Sequence, residues 1–386
     1  MASRRYRRGR RVRPWLNQLA RAVQVTISLV MAVLGFYLAC MGEGNQNSAI
    51  LFVWLFVFLA LIVHELGHVI SARLCGMTVW RVNISGLEFQ AQRRGWRVRR
   101  SRIKFRRIGG YVQAFPVLGQ PMRPQLIGLS LGGPAGNLVM AVFCGACGWL
   151  LLPRHAAFLS LSFAVVNLGS ALVNLVPYQG ALPSDGLTLL RLLRGLDEKA
   201  PNLVCMRLIS RSIAGQTADQ LPEEEIIALE QQPAPLSLIA LWCRLKADQN
   251  RGDWVSAASR HNPFKAMEQA LVPAQKTASS ELLAMLRTEF AFSQAMLTGD
   301  GSELAKDALP TSVAWALPWL QPRCQALLAS LHGDKARCSE LLDISQSKAE
   351  NSIDRALRSS EVVLREYVAA TINEPSPGRR YLQNFA

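Results

Sequence analysis

Two histidines and a glutamate have the residue types and the spacing of a metal site. His64, Glu65 and His68 form an HExxH pattern near the end of a stretch, Ser48 to Ala72, in which Glu65 is the only charged residue. In a helix, residues four apart lie on one face, so the two imidazoles can share one metal ion while Glu65 faces its open position. The pattern therefore predicts a zinc site.

The residues around this pattern indicate a membrane protein. Each of four apolar segments in the first half is near or above the roughly 18 to 20 residues that span a bilayer. An ionisable residue at membrane depth costs roughly 2.5 to 3.5 kcal/mol on insertion scales, so Glu65 is a functional candidate. In the third segment, Gly132, Gly133 and Pro134 predict a break or kink and re-entrant backbone before a regular span. The predicted spans are residues 22–40, 48–70, 125–152 and 156–176.

The net charge of +16 belongs to the membrane half of the chain. Residues 1–186 contain 21 Lys and Arg and 4 Asp and Glu, whereas residues 187–386 contain 22 and 23. Cations cluster before the first span and between Arg73 and Arg123, which by the positive-inside rule makes the N-terminus, the 71–123 loop and the C-terminal half cytoplasmic. Topology accounts for the charge, so nucleic acid is not an expected partner.

A third ligand is needed, because two histidines do not complete a catalytic zinc site. The other acids of the first half are Glu43, Glu88 and Asp185. Glu43 falls on the opposite side of the membrane from His68, and Glu88 falls in the basic loop. Asp185 follows the fourth span, which runs in the same direction as the second and ends on the same side. Asp185 is the predicted ligand; the alternative is an ordinary turn that caps a short helix over 187–194.

Four motifs together resemble the site-2 proteases, a family of intramembrane zinc metalloproteases. The motifs are His64-Glu65-Leu66-Gly67-His68, Ile108-Gly109-Gly110-Tyr111-Val112, Gly132-Gly133-Pro134-Ala135-Gly136-Asn137, and Asn174-Leu175-Val176-Pro177 followed by Asp185-Gly186. The chain departs from the family in two ways: Tyr178 to Ser184 lengthens the last motif, and Ser184 stands where Leu is usual. The resemblance covers roughly Ser48 to Arg194.

The resemblance implies a peptide hydrolysis mechanism. Zinc held by His64, His68 and Asp185 would activate water, and Glu65 would take the water proton and pass it to the leaving amine. Asn174 is a candidate donor to the substrate carbonyl, or alternatively makes a helix-packing hydrogen bond. The alternation from Trp96 to Arg107 predicts a strand that could pair with an extended substrate or place its cations on lipid headgroups.

The C-terminal half is expected to be soluble and helical. Gly252-Asp253, Gly299-Asp300 and Gly333-Asp334 each follow an apolar helical stretch and are expected to precede a shorter one. Their spacings of 47 and 34 residues fit helix-turn-helix repeats such as tetratricopeptide units, with a plain helical bundle as the alternative.

The predicted fold is an all-α polytopic membrane protein with about four transmembrane helices and a small cytoplasmic β-hairpin region, followed by a soluble α-helical domain. The predicted boundaries are a basic cytoplasmic tail at 1–21, the protease domain at 22–195, a linker at 196–235 and a helical interaction domain at 236–386.

The predicted function is a zinc metalloendopeptidase of regulated intramembrane proteolysis; the alternative is a non-proteolytic membrane adaptor on the same fold. Expected partners are Zn²⁺, a single-span membrane protein as substrate, a protein regulator on the helical domain, and membrane lipids. The expected location is a bacterial cytoplasmic membrane with both termini cytoplasmic, and an organelle membrane is the second choice.

Overall fold

The computed structural model describes residues 14–100, 109–150, 153–180, 182–306 and 309–372. These residues fall into two compact units. The first lies within Met1–Ala91 and Trp96–Asp197, and the second within Gln92–Gly95 and Glu198–Ala386.

Four long apolar helices form the framework of the first unit. They are α1 (Pro14–Glu43), α2 (Gln46–Leu74), α3 (Met122–Leu150) and α4 (Arg154–Leu175), and each is long and apolar enough to cross a membrane. Large apolar side chains on their outer surfaces are exposed, among them Trp54 at 71% and Val139 at 68%. All four predicted spans coincide with these helices, although α1 begins well before residue 22. Most of the predicted basic tail lies outside the described residues.

The predicted break and re-entrant backbone in the third span are wrong, because α3 continues through Pro134; the alternative of a kink at this position stays a prediction. Proline removes one backbone donor, but a neighbouring helix can supply partners for the freed carbonyl groups. The carbonyl group that loses its helical donor is that of Ser130, four residues before Pro134, and the helix continues with the loss of this one bond. One residue earlier, His68 Nδ1 of α2 donates to the Leu129 carbonyl oxygen at 2.6 Å. The glycines serve close packing instead of a break: a Cβ on Gly132 would lie 2.6 Å from the carbonyl oxygen of Gly67. Helices α2 and α3 therefore touch through backbone at the predicted metal site.

The β region is larger than the predicted cytoplasmic hairpin. Strands β1 (Thr78–Ile84), β2 (Leu87–Ala91), β3 (Trp96–Arg100) and β4 (Gly110–Phe115) form an antiparallel sheet in the order β3-β2-β1-β4. The predicted strand over Trp96–Arg107 begins as β3, but its residues 101–108 lie outside the described part of the chain. The sequence reasoning found β3 by its alternation and missed β1, β2 and β4.

One face of this sheet is polar and buried. Asn83, Glu88 and Gln90 are 3%, 3% and 6% exposed, and the Glu88 carboxylate lies 2.9 Å from Arg81 Nε and 2.8 Å from Arg99 Nε. Some cations of this basic region thus neutralise Glu88. The opposite face exposes large apolar side chains, a distribution that suits a lipid surface better than water. The exposed apolar residues are Leu87, Trp96 and Val98.

A short helix follows the fourth span and completes the first unit. This helix, α5, covers Asp185–Arg194 and begins directly at the predicted third ligand.

In residues 198–306 and 309–372, the regular elements of the second unit are all helices. Its helices are α6 (Pro201–Ala214), α7 (Glu223–Glu230), α8 (Leu236–Asn250), α9 (Trp254–Ser259), α10 (His261–Ala270), α11 (Pro273–Ala278), α12 (Ser280–Thr298), α13 (Ser302–Lys306), α14 (Thr311–Ala316), α15 (Leu320–Leu331), α16 (Lys335–Glu350) and α17 (Arg355–Ala370), with a 3₁₀ turn at Ala218–Gln220.

The segment predicted as a linker, residues 196–235, is instead folded into the second unit. Val204 and Leu208 of α6 and Leu229 of α7 pack with Ala240 of α8 in one buried cluster. The apolar positions of α6 and α7 need burial and find it against α8.

The three Gly-Asp pairs mark helix ends, as their sequence context predicts. Gly252, Gly299 and Gly333 adopt left-handed φ values of 70°, 74° and 79°. Asp253 and Asp334 cap the next helix, since their side chains accept from backbone N–H groups. The expectation of a shorter helix after each pair fails at the third, where α16 has 16 residues and α15 has 12. These turns do not by themselves establish a regular repeat, and the tetratricopeptide assignment stays a prediction.

A buried ionic cluster crosses four helices of the second unit. Arg323 of α15 is 1% exposed and bonds Glu289 of α12 at 2.6 Å and also Glu361 of α17. Lys246 of α8 lies 3.2 Å from Glu289. Because each carboxylate has a cationic partner, the charges compensate inside the core.

Candidate metal centre

The structure brings His64, His68 and Asp185 together. His64 Nε2 lies 3.2 Å from His68 Nε2 and 3.1 Å from Asp185 Oδ2, and His68 Nε2 lies 3.5 Å from Asp185 Oδ1. The two histidines lie on successive turns of α2, and Asp185 is the first residue of α5. Their ligand atoms all lie within 4.8 Å of one another, and both histidines are buried.

A fixed amide orients the His64 ring. Its Nδ1 lies 2.7 Å from Asn137 Oδ1. The amide nitrogen of Asn137 donates to the Ala60 carbonyl oxygen and to Asn167 Oδ1, at 2.9 Å each. The Asn137 oxygen must therefore accept, so His64 carries its proton on Nδ1 and turns the lone pair of Nε2 toward His68 and Asp185.

A backbone carbonyl orients the His68 ring in the same way. Leu129 O can only accept, and at 2.6 Å it lies closer to His68 Nδ1 than the Gly133 backbone nitrogen does at 3.2 Å, so the shorter contact favours a proton on His68 Nδ1. Both Nε2 atoms are then acceptors, and they face each other and a carboxylate. A cation between these acceptors would satisfy all of them, and two imidazoles with one carboxylate are the donor set of a catalytic zinc site. The residues present thus fit the metal.

Glycine leaves the room that the two rings need. A Cβ built on Gly133 of α3 would lie 2.6 Å from His64 Nε2. Helix α3, which packs against the histidines, therefore cannot carry a side chain at position 133. Gly133 belongs to the same motif as the glycine that packs on Gly67.

Glu65 lies beside this cluster and is 3% exposed. Its Oε2 atom has no hydrogen-bond partner among the described residues. A buried carboxylate oxygen without a partner is costly, so one that faces a cavity is available to a ligand or to water. Gly110 of β4 lies against Glu65, since a Cβ at Gly110 would overlap its carboxylate.

The Asp185 carboxyl is ionised at neutral pH. Burial acts to raise its pKa, whereas His64 and His68, when they are protonated, lower the pKa to about 2; a metal cation held by the neutral rings would act in the same direction. An ionised carboxylate is the form that binds a metal cation.

A cavity of about 1040 Å³ opens beside the cluster. Its wall includes Glu65, Asp185 and Asn174 with residues of α1, α2, α4 and β4. Asn174 donates from Nδ2 to the Ser170 carbonyl oxygen of its own helix at 3.0 Å and lines this cavity with its remaining surface. Its role toward a substrate stays a prediction.

The sequence reasoning missed Asn137 and Asn167 as site residues. It searched the spans for charged groups, and these two amides are uncharged. Both are fully buried, at 0% exposure. The available signal was an amide within an apolar span, which has to find a hydrogen-bond partner in protein because lipid offers none.

Comparison with known proteins agrees with this geometry. The model of Peptidase family M50 matches residues 52–158, a segment that contains His64, Glu65 and His68 and ends before Asp185. No curated protein and no solved structure matches the chain. At family level the match supports a membrane metalloprotease of the site-2 type. The recognition from the motifs is confirmed: residues 52–158 carry the signature of Peptidase family M50, the site-2 protease family.

Proposed function

We propose that the chain is a zinc metalloendopeptidase that hydrolyses a peptide bond in or near the transmembrane segment of a membrane protein, in regulated intramembrane proteolysis. The observation that carries this proposal is the convergence of three acceptor side chains, His64, His68 and Asp185, beside Glu65 on an apolar helix, whose Oε2 atom has no hydrogen-bond partner among the described residues. When bound, zinc supplies Lewis-acid chemistry that acidifies water and polarises a carbonyl group.

The site residues are proposed to have three roles: metal binding, proton transfer and substrate binding. The metal would be held by Nε2 of His64, Nε2 of His68 and the Asp185 carboxylate. Glu65 accepts a proton from the attacking water and hands it to the leaving amine. Asn174, on the cavity wall, is proposed to donate to a substrate carbonyl.

A substrate helix has to become extended before its peptide bonds can be attacked, and an edge strand can hold it in that form. The sequence pattern indicated the strand that begins at Trp96, but β3 is at the far edge of the sheet order. The opposite edge strand is β4, and Gly109, Gly110, Tyr111 and Val112 line the cavity. We therefore assign substrate extension to β4.

The proposed partners follow from this chemistry. The substrate is a single-span membrane protein, the helical second unit binds a protein regulator or a substrate tail, and membrane lipids contact the spans and the exposed apolar sheet face. The proposed location is a bacterial cytoplasmic membrane with both termini in the cytoplasm. A pure adaptor is not favoured, because it would have no need of buried ionisable groups oriented toward one point.

The metal content of the purified chain tests this proposal. We expect zinc bound by the wild type and lost in His64→Ala and Asp185→Ala. His155→Ala is the matched control, because His155 bonds the Gly42 carbonyl oxygen far along the sequence from the site. Zinc that survives loss of His64 and Asp185 would contradict the proposal.

A further inference from the structure

The loop that carries Asp185 is closed by one hydroxyl group, that of Ser184. Ser184 Oγ donates to the Val176 carbonyl oxygen, just after α4, at 2.7 Å. It accepts from the backbone N–H of Tyr178 at 3.0 Å and from that of Leu187, in the first turn of α5, at 3.2 Å. A hydroxyl group has one proton and two lone pairs, so this one uses its full bonding capacity.

We propose that Ser184 is a positioning residue that holds Asp185 at the level of the histidines; this inference rests on the function proposed above. The chain has more residues between Pro177 and Asp185 than the usual family motif, and an added stretch would move the ligand unless its ends were tied together. The ends are tied: Ser184 N donates to the Tyr178 carbonyl oxygen at 2.9 Å, and Gln179 pairs with Pro183 in a β-bridge.

The residue after Asp185 is also held against the end of α4. A Cβ on Gly186 would overlap the Leu175 carbonyl oxygen. The residues on both sides of Asp185 therefore contact the end of α4. Ser184 does so through its hydroxyl group, and Gly186 through its backbone. These two contacts leave the carboxylate little freedom to leave the histidines.

The rest of the loop is anchored to α1 and α5. Asn17 Nδ2 donates to the Gln179 carbonyl oxygen at 3.1 Å, and Gln179 N donates to Asn17 Oδ1 at 2.8 Å. Arg191 donates to Gln179 Oε1 at 2.9 Å. Because Gln179 is fixed by these bonds, we expect loss of the Ser184 hydroxyl to displace Asp185 instead of the rest of the loop.

Zinc affinity of the purified full chain, measured by competition with a chelator of known affinity, tests the proposal. The variants are Ser184→Ala, Ser184→Gly and Ser184→Thr. Glycine is nearly as good a helix cap as serine, so Ser184→Gly removes the hydroxyl with little loss of capping and keeps the test valid if Ser184→Ala fails to fold. We expect zinc binding to weaken about 10- to 100-fold in Ser184→Gly and Ser184→Ala. Ser184→Thr, which keeps the hydroxyl, should bind as the wild type does.

Asn45→Ala is the matched control for capping, because the Asn45 side chain caps the far end of α2 through Asn47 N. It should lower the melting temperature and leave zinc affinity unchanged. Wild-type zinc affinity in both Ser184→Gly and Ser184→Ala would overturn the proposal and make Ser184 a helix cap alone. Failure of the proposed function gives a different result: His64→Ala would then leave zinc binding of an otherwise wild-type chain intact.

Discussion

His64 Nδ1 lies 2.7 Å from Asn137 Oδ1, and the amide nitrogen of Asn137 is committed to two further acceptors. The amide therefore selects one tautomer of the imidazole, the one whose Nε2 lone pair faces Asp185. We predict that Asn137→Leu weakens zinc binding about 10- to 100-fold, the usual effect of losing a group that orients a metal-bound histidine. Isothermal titration calorimetry of the metal-free wild type and of metal-free Asn137→Leu with zinc measures this difference in dissociation constant.

Gln125→Leu is the control for Asn137→Leu. Gln125 lies on the same helix, is also buried at 3% exposure, and bonds the Val117 backbone instead of a ligand. The Gln125→Leu variant should have a lower free energy of unfolding and an unchanged zinc dissociation constant. Equal zinc affinity for Asn137→Leu and Gln125→Leu would refute the orienting role.

Gly133 should tolerate no side chain. The added methyl group of Gly133→Ala would lie 2.6 Å from His64 Nε2 and displace the ring or the helix. We expect loss of bound zinc in Gly133→Ala. Gly145→Ala on the same helix meets nothing within 4 Å and should gain up to about 1 kcal/mol of helix stability. Elemental analysis of both proteins measures bound zinc, and melting curves measure their stability. Full zinc content in Gly133→Ala would contradict the close packing of Gly133 on the histidines.

The second unit should lose stability in acid through Glu289. Burial acts to raise the pKa of Glu289, but Arg323 and Lys246 lower it from 4.5 to about 2. A lowered folded-state pKa means that the stabilisation is complete above about pH 4.5 and is lost as pH falls toward 2. Glu289→Gln should destabilise the protein by about 3 to 5 kcal/mol at neutral pH, because Arg323 keeps only one carboxylate partner.

Thermal unfolding of both proteins between pH 7 and pH 3, followed by circular dichroism, checks this pH dependence. The difference between wild type and Glu289→Gln should shrink as the solution is acidified. Glu303→Gln is the control, since Glu303 pairs with Lys306 at the surface and should change little. A difference that stays constant with pH would contradict the assignment.

The proposed orientation predicts which loops leave the cytoplasm. A phosphatase that is active only outside the cytoplasm should be active when fused after Gly44 or Pro153, which precede α2 and α4. It should be inactive when fused after Gly119. The physical reason is the concentration of Lys and Arg in the 71–123 loop. The reverse activities would invert the topology and remove the argument for a cytoplasmic cleavage site.

The four apolar helices and the proximity of His64, His68 and Asp185 could be predicted, because both follow from simple sequence patterns. Apolar length located four helices, and the i, i+4 spacing put His64 and His68 on one face. The direction of the second and fourth spans then brought Asp185 to the same level. These features need no knowledge of packing.

Features that depend on packing between elements were predicted poorly. Pro134 does not end α3, which continues to Leu150 while its glycines Gly132 and Gly133 pack against α2. The strands β1, β2 and β4 form a sheet by pairing across the chain, and only β3 has a clear alternation of its own. The 196–235 segment is folded because α8 covers its apolar residues. In each case a distant segment determines the local structure.

The central claim is tested most directly with Glu65→Gln, which should keep zinc and remove the base. Membrane-protein fragments are compared between cells with the wild-type chain and cells with Glu65→Gln, under several stresses. We predict that a single-span protein accumulates uncut with Glu65→Gln and that its shortened cytoplasmic fragment forms only with the wild type. Identical fragment patterns in the two strains, with zinc bound in both proteins, would contradict proteolysis.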